Sequence, residues 1–366
     1  MTVEQNLLET MLEMLRMSTV PQLLFDGETL LALSPTAEPL FPTAEAGDQA
    51  SVIFGDEAVL LQRFQGGSIL FPVETILGTY HVTLAEVQGL RLATLHPDGE
   101  GLSTRAALSV AERLRHSLGT VMSLTPKLLP QLEAQLDTQI IERASELNKS
   151  IYSMLRITES LECWGAENLL LSMARDDLDR WLEEQVKKLA PLCAMADRSL
   201  IYLSAKERCF CSFNPEQLRV ALEHLISNAI KFSSAGGEIT LSLRPSGRRY
   251  IITVRDQGCG IPTAQLGQVF SRSENRGAIP DPRWGVGLGL PVVKRIVQAH
   301  GGRVMLESTE GKGTAVHLAL PAMDENSLPL RSEMMIPISW AGIDPSLVGL
   351  SDVLPARAYD PRGVDL

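Results

Sequence analysis

Asn228 and Lys231 stand one helical turn apart in LEHLISNAIKFS, so an amide oxygen and an ammonium share one face. Together they can converge on a phosphate–magnesium unit, whereas alone an Asn and a Lys on a helix read as solvated surface. Asp256-Gln-Gly258-Cys-Gly260 closes the strand-like run RYIITVRD. Asp256 shares the parity of Ile252 and Val254, which predicts a carboxylate on the buried face. A buried carboxylate needs a donor, the exocyclic amine of adenine is a suitable one, and the glycines let a base approach the backbone. The plain alternative is a D-x-G turn after a strand. Gly285-Val-Gly287-Leu-Gly289-Leu then runs into the helical pattern LPVVKRIVQAH, where free N–H groups and the helix dipole favour phosphate. Its G-x-G-x-G spacing is not the dinucleotide fingerprint. The stretch Ser271 to Trp284, with Arg272, Arg276 and Arg283, reads as a lid over a nucleotide or as a long surface loop. Gly311-Lys-Gly313-Thr314 is a weaker fourth signal, a turn feeding the last strand.

The elements that must position these residues belong to a chain of 366 residues, 45% hydrophobic and 21% charged, which excludes wholesale disorder and predicts two or three domains. A net charge of −11 offers no basic field for nucleic acid or an anionic membrane surface. No run approaches the ~20 apolar residues of a membrane span, and the acidic start MTVEQNLLETMLEML is unlike a signal peptide, which predicts a cytoplasmic protein. The cysteines 163, 193, 209, 211 and 259 form an odd, scattered set that predicts reduced thiols.

Residues 1–100 open with an amphipathic helix and continue as strand-like runs around the Asp26-Gly27 turn and in SILFPVE, TYHVTLAEV and LRLATL, which predicts a small α+β domain. Across 101–164 the period turns helical, with Ala107, Ala111, Leu114, Leu118 and Val121 on one stripe and Ile140, Ala144, Leu147, Ile151, Met154, Thr158 and Leu161 on a heptad seam. Such a hairpin buries both seams by pairing with a second copy into a four-helix bundle. Pro126 and Pro130 would kink or end its first helix. Residues 165–321 alternate helices and strands as a second α+β unit. The stretch 322–366, rich in Pro, Ser and Asp, is expected to be a flexible tail outside any core.

In their order and spacing, the signals N, D-x-G-x-G, F, G-x-G-L-G-L and G-x-G-T resemble the ATP-binding domain of sensor histidine kinases, within the wider group shared with gyrase, Hsp90 and MutL. The resemblance covers roughly 165–321 and implies ATP and Mg2+ as cofactors. It makes Asn228 the magnesium-chelating residue, Asp256 the adenine-binding aspartate and Phe270 the lid phenylalanine, although the second aromatic usual in that box is absent. Lys231, Gly258, Gly260, Gly285, Gly287, Gly289, Gly313 and Thr314 complete the implied nucleotide site. His224 stands where the family usually carries a polar residue such as Asn.

The hairpin resembles the dimerisation and phosphotransfer domain, which makes His116 in LRHSLGTVM the implied phosphoacceptor. It lies about 200° around the helix from Leu118, opposite the apolar stripe; an inert surface histidine remains the plain alternative. Ser117 replaces the acid usual after that histidine, and Glu112, one turn earlier, is a candidate substitute carboxylate. Thr120 matches the residue that positions water for response-regulator dephosphorylation. The N-terminal domain resembles a PAS sensor, with Ser34 where Asn is common. The implied fold is multidomain α+β: a PAS-like sensor, a helical hairpin forming a dimeric four-helix bundle, and an α/β sandwich ATP-binding domain. The implied function is a homodimeric kinase that autophosphorylates His116 and passes the phosphate to an aspartate of a separate response regulator receiver domain. An ATP-binding scaffold or response-regulator phosphatase with weak or no kinase activity is the first alternative. A serine kinase of the anti-sigma type and a mechanical ATPase fit the helical hairpin and His224 less well.

Overall fold

The computed structural model describes residues 3–63, 68–87, 89–97, 138–165, 173–267, 269–270, 288–323 and 343–360. In chain order its elements are α1 (Val3–Arg16), β1 (Gln22–Asp26), β2 (Thr29–Leu33), α2 (Ala50–Phe54), α3 (Val59–Arg63), β3 (Ser68–Thr75), β4 (Gly78–Val87) and β5 (Leu90–Pro97). There follow α4 (Thr138–Gly165), β6 (Ala174–Asp177), α5 (Leu178–Met195), β7 (Ser199–Leu203), β8 (Phe210–Phe213), α6 (Pro215–Phe232), β9 (Glu238–Ser246) and β10 (Arg249–Arg255). The last are α7 (Thr263–Leu266), α8 (Gly289–Ala299), β11 (Arg303–Thr309), β12 (Gly313–Pro321) and α9 (Pro345–Gly349). They fall into two compact units, one of Met1–Glu100, Cys259–Asn275 and Val304–Val316, the other of Gly101–Gly258, Arg276–Arg303 and His317–Leu366. Among the described residues no helix is long and apolar enough to cross a membrane.

The first unit carries the strand order β2-β1-β5-β4-β3-β11. Gly27, at φ +57°, closes the β1–β2 turn, as the Asp-Gly pair predicts. β3, β4 and β5 pair antiparallel in sequence, and β11 adds to β3 with Leu306 opposite Leu70. The inward side chains Leu23, Phe25, Leu30, Phe71, Val82, Leu84 and Leu95 close a core with Phe54, whose ring stands 5.5 Å from Phe25 and 5.6 Å from Phe71. Ser34 is fully buried and accepts from Gln22 N at 2.9 Å, tying the end of β2 to the start of β1.

In the second unit β12-β10-β9-β7 form a sheet, with β7 parallel and β10 antiparallel to β9. α6 is buried nearly all round, from Leu218 to Ile230, because the sheet, α8 and α9 pack against different faces of it. Its start is fixed by Asn214, whose side chain caps Gln217 N at 3.0 Å and whose own N–H donates to His300 Nε2 at 3.0 Å. His300 donates from Nδ1 to Ile296 O at 2.7 Å, so the two ring nitrogens join the end of α8 to the beginning of α6.

One expectation needs correction. Residues 343–360, expected to lie outside any core, bury Val348, Leu350, Leu354 and Tyr359, because the Tyr359 ring meets that of Tyr152 of α4 edge to face at 4.9 Å and α9 rests on α6. On α4 the expected seam is only partly buried: Ile151, Thr158 and Leu161 are covered, whereas Leu147 and Met154 are 58% and 50% exposed. The buried face is rotated toward Ser145, Asn148, Tyr152 and Leu155, since Tyr359 claims that side through Tyr152 and through Asn148 Nδ2, which donates to its carbonyl at 3.2 Å. All five cysteines are free thiols, four of them buried and Cys259 exposed.

Candidate functional site

α6 places Asn228 and Lys231 in its last turns, both half-buried in a helix that is otherwise covered from Leu218 to Ile230. The first turn of α8 lies beside them: a Cβ on Gly289 would stand 3.4 Å from His224 Nδ1 and 3.9 Å from Asn228 Nδ2. Among the described residues no side chain caps α8, and Pro291 in its first turn removes one donor. The first N–H groups of α8 thus begin beside the Asn228 amide, and unpaired N–H groups at a helix start suit phosphate oxygens.

Asp256 follows β10 directly. Its Oδ1 accepts from Gly258 N at 2.8 Å, which folds the D-x-G turn back on the carboxylate. The side chain is half-buried, and β10 is buried on both faces from Ile251 to Val254, so parity discriminates less here than the sequence pattern implies. Gly258 has a steric reason: a Cβ would run into the carbonyl of Phe232, the last residue of α6. The Asp256–Gly258 turn and the Asn228 helix thus meet backbone to backbone in the second unit.

The first unit holds Gly260, Phe270, Gly313 and Thr314. Gly260 has φ +67°, and a Cβ there would strike Thr309 O. Gly311 N donates to Cys259 O at 2.7 Å. Ser308 Oγ accepts from Ile261 N at 2.8 Å, donates to Gly313 O at 3.1 Å and lies 3.0 Å from Thr314 Oγ1. The G-K-G-T turn, the weakest signal in the sequence, is therefore fastened to the Cys259–Ile261 stretch within this unit. Phe270 is buried, with its ring 5.4 Å from that of His81. His116, Thr120, Glu112, Gly285 and Gly287 lie outside the described residues, as do Ser117, Pro126, Pro130 and the arginine-bearing stretch from Ser271 to Trp284.

His224, one turn before Asn228, faces α4 and not solvent. Arg156 Nη2 donates to its Nδ1 at 3.1 Å, which leaves the proton on Nε2, 3.1 Å from Ser160 Oγ. Burial, reinforced by the charge of Arg156, pushes the imidazole down to about 3, so this histidine stays neutral. Nearby, Arg219 binds Glu223 and Glu159, both at 2.5 Å. Burial pushes the Glu223 carboxyl up against the pull of Arg219.

Sequence reasoning missed Arg156, Ser227 and Asp352. Asp352 pairs through Oδ1 with Arg156, accepts from Ser227 Oγ at 2.9 Å and pairs through Oδ2 with Lys231. Burial alone would raise this carboxyl, but Arg156 and Lys231 outweigh it and hold the group at about 2. No local pattern marks such a contact, because its partners are spread from residue 156 to residue 352.

Residues 213–324 match the histidine kinase-, DNA gyrase B- and HSP90-like ATPase family. That stretch is similar to the ATPase domains of this family, and the chain is similar over part of its length to sensor histidine kinases. It is 39% identical over 105 residues to the alginate biosynthesis sensor protein KinB of Pseudomonas aeruginosa, a match covering 29% of this chain and 17% of that protein. It is 30% identical over 193 residues to the adaptive-response sensory kinase SasA of Synechococcus sp. (strain JA-3-3Ab), covering 52% of this chain and 50% of that one. Half or less of each relative's length is thus spanned. Full-length ShkA in complex with AMPPNP is similar at 19% identity and a TM-score of 0.49, covering 60% of this chain and 46% of ShkA.

Proposed function

We propose that this chain is a cytoplasmic, homodimeric sensor histidine kinase that uses ATP with Mg2+ to phosphorylate His116 and passes the phosphate to an aspartate on a separate response regulator. The observation that carries the reading is the Asn228 face of α6 set beside the uncapped start of α8, with Asp256 and Gly258 folded against the end of α6. In this reading Asp256 accepts from the adenine amine, and the α8 N–H groups and Lys231 hold phosphate oxygens. Asn228 offers one amide oxygen, a donor set that suits Mg2+, which takes most of its remaining ligands from phosphates and water. Bound Mg2+ would neutralise charge on the transferred phosphoryl group. Neutral His116 attacks the γ-phosphorus, the bond to the β-phosphate oxygen breaks, ADP leaves, and the imidazole proton passes to a carboxylate, for which Glu112 is the candidate in place of the residue at Ser117. Thr120 positions the water that hydrolyses the phosphoaspartate of the response regulator, releasing inorganic phosphate. We read residues 1–100 as a PAS-like input domain, 101–164 as the dimerising phosphotransfer hairpin and 165–321 as the ATP-binding domain, with Phe270 at the lid and Gly260, Gly285, Gly287, Gly313 and Thr314 shaping the nucleotide turns.

Incubation with γ-labelled ATP and Mg2+ tests this directly. Acid-labile label is expected in the wild type and not in His116→Gln; label that persists in the variant, or that resists acid, overturns the assignment. A second reading, an ATP-binding regulator or phosphatase with weak kinase activity, draws on Ser117 and on the engagement of Lys231 by Asp352.

A further inference from the structure

The segment from Asp344 to Tyr359 is built as a strap. Asp344 caps α9 through a bond from Ser346 N at 2.9 Å, and the Tyr359 hydroxyl returns to Leu347 O at 2.8 Å, closing the segment on itself. Val348, Leu350, Leu354 and Tyr359 are at most 2% exposed, so an apolar anchor holds it down. Gly349 lies so close to α6 that a Cβ would collide with the buried Glu223 carboxylate. This anchoring delivers one acidic side chain, Asp352, to Lys231 and Ser227 on α6 and to Arg156 on α4. Two cations and a hydroxyl converging on two oxygens of one anion are the donor set of a phosphate site.

We propose that Asp344–Tyr359 is an autoinhibitory strap: Asp352 fills an anion site made by Lys231, Ser227 and Arg156, and a nucleotide phosphate takes that site when the strap leaves. The proposal rests on the reading of Lys231 as a phosphate ligand. Its physical basis is competition, since Lys231 and Arg156 cannot give the same donors to the carboxylate and to a phosphate at once. With the carboxylate gone, the two cations face each other and attract an anion. While it is in place, Asp352 also fastens α4 to α6, so strap release and nucleotide entry free the two helices together.

Equilibrium binding of a fluorescent ATP analogue with Mg2+ to the full chain provides the test. Asp352→Asn is expected to tighten binding on the order of tenfold, the scale of one charge-assisted contact, and Gly349→Leu, which pushes the strap away sterically, is expected to do the same. In the wild type, saturating nucleotide is expected to speed amide exchange across 344–359. Unchanged or weaker binding in both variants, or unchanged exchange, overturns the strap. Lys231→Met distinguishes the underlying reading: it is expected to weaken binding in both the wild-type and the Asp352→Asn backgrounds. Unchanged affinity in Lys231→Met would remove the phosphate role of Lys231, and the strap with it, whatever Asp352→Asn does.

Discussion

His224 illustrates what a single buried side chain imposes. In the native protein it titrates near 3, while in an unfolded chain it would titrate near 6.5. Between those values the unfolded state holds a proton that the native state lacks, so stability falls as pH drops from about 6.5 toward 3, at up to roughly 1.4 kcal/mol per pH unit. Asp352 acts in the same direction over a lower window, from its ordinary 3.8 down to about 2. Urea midpoints measured at pH 4, 5 and 6 are expected to rise with pH, and His224→Gln is expected to flatten that rise. An equal slope in both proteins would assign the acid sensitivity to other groups. Asn228, Asp256 and the glycines are legible in the sequence because turns and helix faces impose short, fixed spacings. Arg156 and Asp352 are not, since a charge pair closed by tertiary packing leaves no periodic trace.

Elements with a regular period are equally legible. β3, β4 and β5 follow the apolar runs of the first hundred residues, and α6 follows from Pro215 after Asn214 and from its dense apolar content. Substituting Asn214 by Ala removes the cap on α6 and is expected to cost about 1 kcal/mol; Asn214→Asp keeps an acceptor and should restore most of it in the same denaturation measurement. β6 and β8 escape sequence reading for an opposite reason. ARDD carries two adjacent acids and FCSF is four residues long, so only their mutual pairing makes them strands. The strap escapes because Val348, Leu350, Leu354 and Tyr359 are spaced to fit α4 and α6, and neither a 3.6-residue nor a two-residue period results. Composition reads such a segment as unstructured even when its apolar residues are fully covered.

At the scale of the molecule, Leu147 and Met154 remain exposed one heptad apart on α4, which is the spacing a second copy of the hairpin would use. Leu147→Glu with Met154→Glu is expected to shift the protein from dimer to monomer in sedimentation while leaving ATP-analogue affinity unchanged; a monomeric wild type would remove the four-helix bundle from the proposal. The division into units carries a different consequence. Between residues 100 and 317 the chain passes from one unit to the other five times, so neither unit is a contiguous stretch of sequence. Residues 259–275 and 304–316 complete the first unit, and β11 supplies the outer partner of β3. Recombination after residue 100, where the change of period in the sequence predicts a domain boundary, would strip β3 of that partner and leave Leu70 at an open sheet edge. The sequence pattern predicts a row of modules, whereas the two units are interleaved along the chain and resist being shuffled as such a row.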